Sequence, residues 1–140
     1  MHLLDVNVLI GLLDPANPHH LPAKAFFKAH APAGWATCPL TENAVLRILG
    51  NPRYPGSPGS TEATRRLLGD LTSMPGHQFW PDDHSLLDAR RLPRLPTAAH
   101  LTDVYLLALA VSRQARLATF DRAIDPALVP GGPAAYRVLA

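Results

Sequence analysis

The chain has 140 residues, of which 47% are hydrophobic and 17% charged, the composition of a folded aliphatic domain, which excludes intrinsic disorder. Its formal net charge of +2 excludes coating of nucleic acid by bulk electrostatics, so any polyanion must be held by locally placed cations. A single cysteine, Cys38, excludes an internal disulfide and a cysteine-built zinc site.

The length predicts a single domain over residues 1–140. Apolar runs such as Val104 to Val111 fall far short of the roughly 18 residues that read as a membrane span. The chain reads as a strand almost from Met1, with no basic-then-apolar leader, and a cytoplasmic location is expected. In chain order, Leu3-Leu4-Asp5-Val6 is a short apolar strand ending in an acid. Asn7 to Leu13 turns helical and is stopped by Asp14-Pro15. A second helix is predicted over Leu21 to His30, with Ala25, Phe26 and Ala29 as its apolar stripe. Trp35 to Cys38 is the next strand. Thr41 is suited to N-cap the helix that follows, patterned by Glu42, Ala44, Val45, Ile48 and Leu49 and closed by Asn51-Pro52.

Pro52 to Gly59 reads as an exposed loop, after which Ser60 or Thr61 caps a helix to about Leu71. Gln78-Phe79-Trp80 is a third strand, and Asp82 and Asp83 fit the N-cap region of a short helix from His84 to Arg91. Thr102 opens the helix Asp103 to Gln114, whose buried face is Leu106, Leu107, Ala110 and Val111. Leu117-Ala118-Thr119 is a fourth strand, and Tyr136 to Leu139 a candidate fifth.

Continuous apolar strands alternating with helices predict an α/β domain, because only strands buried on both faces lack alternating polar positions. In such a domain strand C-termini and helix N-termini meet at one edge, where ligands bind. Asp5 ends the first strand, Glu42 and Asp103 stand in first helical turns, and Asp121 follows the fourth strand. All four converge on that edge. Gathered carboxylates repel one another until a proton or a cation intervenes, and an oxygen-only donor set favours Mg²⁺ or Mn²⁺ over Zn²⁺. No histidine has the helical i, i+4 spacing beside an acid that would alter this reading. A divalent ion so held suits phosphodiester hydrolysis.

Each acid also has a purely structural reading. Glu42 and Asp103 would favour their helix N-termini by about 0.3–1 kcal/mol, and Asp121 would serve a turn beside Arg122. Asp5 is harder to explain so, since an acid ending a buried strand is costly without a partner. The seven other acids, Asp14, Glu62, Asp70, Asp82, Asp83, Asp88 and Asp125, are assigned to structure or solvent. Eleven of the thirteen basic residues are Arg. The clusters Arg65-Arg66 and Arg90-Arg91 with Arg94 offer planar forks for phosphate or simply solvated faces.

The segments Asp5-Val6-Asn7-Val8-Leu9-Ile10, Thr41-Glu42-Asn43 with Leu46-Arg47-Ile48, Leu101 to Ala110 and Ala118-Thr119-Phe120-Asp121 resemble, in order and spacing, the motifs of PIN-domain toxins of the VapC type. The resemblance implies a three-layer α/β/α sandwich around a parallel sheet of four to five strands. It implies a metal-dependent ribonuclease of a toxin–antitoxin system, with Asp5, Glu42, Asp103 and Asp121 holding Mg²⁺ or Mn²⁺ and Asn7 and Thr119 as supporting polar residues. It further implies an RNA substrate, a homodimer, and a small VapB-like antitoxin that inserts a basic residue near Asp5 and Asp103. The alternative is a PIN-like module that binds RNA or protein without cutting. Receiver domains and aspartate-nucleophile phosphatases also carry an early Asp, but they use a late lysine, and here Lys24 and Lys28 are the only ones.

Overall fold

The computed structural model describes residues 1–140. Five strands form one sheet: β1 (His2–Leu4), β2 (Trp35–Thr37), β3 (His77–Phe79), β4 (Arg116–Thr119) and β5 (Tyr136–Val138). Their order is β3-β2-β1-β4-β5 and every pairing is parallel. Six helices connect them: α1 (Val6–Leu13), α2 (His20–His30), α3 (Pro39–Leu49), α4 (Thr61–Thr72), α5 (Leu101–Ser112) and α6 (Gly132–Ala135). None is long and apolar enough to cross a membrane.

The strands are apolar throughout because consecutive residues enter different cores. Leu3, Ala36 and Leu117 pack with α5, Trp80, Leu92 and Ile124 on one face. Leu4, Trp35 and Ala118 pack with Val8, Leu9, Phe26, Phe27, Val45 and Leu68 on the other. Helix α5 buries every residue from Val104 to Ala110, which places it centrally against the sheet rather than at the periphery.

From the central β1 the chain winds outward through β2 and β3, then returns to β4 and β5 on the opposite side. The winding reverses between β1 and β4, which pair through His2↔Arg116, Leu3↔Leu117 and Leu4↔Ala118. At such a reversal the connections depart to opposite sides, and a crevice opens at the strands' carboxyl ends. Asp5 and Thr119 are the residues that sit there, with the Asp5 N–H donating to the Ala118 carbonyl at 3.0 Å.

Several local expectations are corrected. Asp5 lies one residue past β1 and N-caps α1 in extended conformation. In α3 the N-cap is Cys38, with Pro39 in the first turn. Thr41 is the third helical residue, and its hydroxyl accepts from the Cys38 N–H at 3.0 Å. The buried residues of α2 are Ala23, Phe26 and Phe27, whereas Ala25 and Ala29 are exposed. Helix α5 begins at Leu101 after a 3-10 turn, Ala98–His100. No helix forms over His84 to Arg91. There the Ser85 hydroxyl accepts the Leu87 N–H and the Asp88 carboxylate accepts the Arg90 N–H, local bonds that compete with a helical ladder.

Candidate active site at the carboxyl edge

The site is built on one hydroxyl. Thr119, wholly buried at the end of β4, donates to Asp5 Oδ2 at 2.7 Å and accepts from Asn7 Nδ2 at 3.1 Å and from the Asp121 N–H at 3.0 Å. A threonine hydroxyl has one proton and two lone pairs, so these bonds exhaust its capacity and fix its rotor. Asn7 completes the brace by accepting the Phe120 N–H at 3.1 Å. The first turn of α1 and the exit of β4 are thereby locked together.

The carboxylates stand on this brace. Asp5 is 4% exposed, and its Oδ1 accepts the Val6 N–H at 2.7 Å. Burial raises its pKa above the ordinary aspartate range, with Asp121 adding repulsion, although the bonds from Thr119 and Val6 pull the other way. Asp103, in the first turn of α5, is pushed up to about 6 by burial and then by the charges of Asp5 and Asp121. Asp121 is oriented by the Ala123 N–H on its Oδ1 at 2.8 Å, while its carbonyl accepts the Tyr136 hydroxyl. The Tyr136 phenol is raised by burial first, then by Asp121, Asp103 and Asp5 in turn. The three aspartates therefore share one electrostatic neighbourhood.

Glu42 is not joined to that neighbourhood by any hydrogen bond or resolved charge effect. Its Oε2 accepts the Thr37 hydroxyl at 2.7 Å. Because that proton is spent on Glu42, His77 Nε2, 2.8 Å from the same oxygen, must be the donor of the next bond. Glu42 thus ends a chain leading from β3 across the end of β2.

Two residues were not anticipated. His100 places Nδ1 3.8 Å from Asp103 Oδ2, and one donor atom from each of His100, Asp103 and Asp121 lies within 4.8 Å of the others. That nitrogen is buried and has no hydrogen-bond partner. The donor set at this edge is therefore not oxygen-only. The available signal was the i, i+3 spacing of His100 and Asp103 across a helix start, which a search for i, i+4 pairs passes over. Tyr136 read simply as strand; only the return of β5 beside β4 brings its hydroxyl to Asp121.

Comparison with known proteins places this geometry in context. The PIN domain family matches residues 2–127. Ribonuclease VapC44 of Mycobacterium tuberculosis is 42% identical over 131 residues, covering 92% of each chain. Ribonuclease VapC38 of the same organism is 42% identical over 125 residues, covering 89% of this chain and 87% of its own. Ribonuclease VapC39 is 40% identical over 124 residues, with 87% and 89% covered.

Proposed function

Since the chain belongs to the PIN-domain family, in its VapC-type branch, we propose that it is the endoribonuclease toxin of a toxin–antitoxin pair and hydrolyses RNA phosphodiester bonds at the Asp5, Asp103 and Asp121 cluster. The observation that carries this reading is the convergence of those acids at the winding reversal of the sheet, two of them raised in pKa by burial and mutual repulsion. Asp103 and Asp121, with His100, have donor atoms within 4.8 Å of one another, close enough to share a cation, and Asp5 adds its negative charge beside them.

The donor set fits a divalent ion. Asp5, Asp103 and Asp121 would hold it, with Glu42 assigned a ligand role through family resemblance and His100 adding nitrogen. When bound, such an ion supplies Lewis acidity toward a phosphate oxygen and lowers the pKa of water. An imidazole shifts preference toward a first-row transition ion, so of Mg²⁺ and Mn²⁺ the second is favoured.

The protein's own contribution is arrangement. Thr119 and Asn7 keep the Asp5 and Asp121 segments in register, so little reorganisation is left for the reaction. Asp103, raised to about 6 by burial and by the charges of Asp5 and Asp121, is the acid whose ionised form a bound cation would favour most. Arg122, exposed and next to Asp121 in the chain, is the cation assigned to the substrate's phosphates. A cytoplasmic homodimer, neutralised by a small VapB-like antitoxin that offers a basic residue to the acids, completes the proposal.

The test is incubation of the purified chain with a panel of structured and unstructured RNAs, with Mg²⁺, Mn²⁺ or chelator. Cleavage with the ions and none with chelator supports the reading. Binding without cleavage under every condition favours a non-cutting PIN-like module.

A further inference from the structure

One structured surface beside the site has no part in the chemistry above. The His19 imidazole is stacked on the Phe120 ring, with centroids 4.1 Å apart and planes 12° from parallel. Phe120 is the residue before Asp121, and its N–H is bound by Asn7, so the stack is tied to the brace that holds the acids. His19 is exposed. With one face on Phe120, the ring offers its opposite face and edge to solvent.

The segment presenting His19 is held firmly. Asp14, 5% exposed, caps α1 and accepts the Ala16 N–H at 3.0 Å on one oxygen and the Tyr54 hydroxyl at 2.8 Å on the other. The Tyr54 oxygen in turn accepts from Asn17 Nδ2 at 3.2 Å, and Asn17 Oδ1 accepts the His19 N–H at 2.8 Å. Gly56 leaves room for this network, since a Cβ there would lie 2.6 Å from Asp14 Oδ1. A buried carboxylate and its partners are thus committed to a short connection between two helices. Beside it opens a cavity of about 340 Å³ lined by Asp14, Asn17, Tyr54 and their neighbours. A preorganised aromatic face with its outer side open to solvent is how unpaired bases are received, whereas the polar groups lining the cavity are bonded to one another and hold the His19 segment.

We propose that the His19–Phe120 stack is a platform for an unpaired base of the RNA flanking the scissile phosphate. The proposal rests on the ribonuclease reading. It makes His19 a positioning residue, remote from the acids in sequence and dispensable for the chemical step.

Two measurements test it. In kinetics on an unstructured RNA, His19→Ala raises KM roughly fivefold or more, the worth of one stacked base, and leaves kcat within about twofold. The second uses His19→Trp combined with Asp103→Asn to prevent cutting. Addition of a short unstructured RNA of mixed sequence quenches fluorescence beyond any change in the Asp103→Asn parent, which retains Trp35 and Trp80, and the same sequence as a duplex does not. An unchanged KM in His19→Ala, or no quenching by single-stranded RNA, overturns the platform. Absence of cleavage by the wild-type chain would instead overturn the nuclease reading, and the fluorescence measurement would still decide the platform by itself.

Discussion

Asp103 carries the sharpest expectation at the scale of single residues, because its carboxyl is held at about 6 against an ordinary 3.8. Between roughly pH 4 and 6 the folded, metal-free protein keeps a proton there that the unfolded chain has lost. The contribution of Asp103 to stability therefore falls as pH rises through that window and stays low above it, opposite to a salt-bridged acid and opposite to His2, whose imidazole burial holds down at about 4. Melting wild type and Asp103→Asn side by side in chelator from pH 4 to 7 isolates this contribution as the difference between them. A bound divalent ion should reverse the slope by favouring the ionised form. Asp103→Asn should accordingly raise the neutral-pH stability of the metal-free protein, on the order of 1–2 kcal/mol, while abolishing cleavage. Thr119→Val keeps the shape but strands the Asp5, Asn7 and Asp121 groups it serves. The expected cost is about 1–3 kcal/mol in stability and roughly tenfold or more in metal affinity, read by melting and titration calorimetry. At this scale the sequence placed the acids at one sheet edge, and the structure brings Asp5, Asp103 and Asp121 together there but leaves Glu42 bonded to Thr37, while Asp5 also N-caps α1. The sequence was silent on Tyr136, whose partner is fifteen residues away.

Among the elements, the sheet and the helices were legible wherever apolar period and breakers agreed, as in Asp14-Pro15 ending α1 and Ser60 capping α4. The two misplaced helix starts have a common cause. Helix starts at Cys38 and His100 were placed at the nearest threonine, because Thr41 and Thr102 have the better propensity. At Cys38 the cap is instead supplied by a buried thiol residue and a threonine three positions on, and at His100 a 3-10 turn leads into α5. That turn brings His100 to Asp103, so the same detail that blurred the helix boundary concealed a site residue. Away from the site the elements should tolerate strain without loss of chemistry. Gly76 enters β3 at φ +91°, and a Cβ would lie 2.3 Å from the Ala31 carbonyl oxygen. Gly76→Ala should cost about 2 kcal/mol or more, while the cleavage rate below the melting temperature stays close to that of the wild type. Paired melting and rate measurements separate the two effects.

Taken as a whole molecule, the fold gathers Asp5, Asp103 and Asp121 of a chain of nearly balanced charge into one cluster at the sheet's carboxyl edge and leaves most of its arginines exposed. RNA must then be drawn in by exposed arginines and by the bound ion, so cleavage should weaken with rising salt more steeply than metal binding does. The central claim is that the aspartate cluster makes RNA hydrolysis depend on a divalent ion. Its most direct test is the initial rate of cleavage of an end-labelled unstructured RNA as Mn²⁺ is titrated, for the wild type and Asp103→Asn side by side. The wild-type rate should rise from nothing in chelator to a plateau, and the variant should stay at background although it is folded and melts no lower. Cleavage by wild type that survives chelation, or a variant that reaches the wild-type plateau, would contradict the assignment.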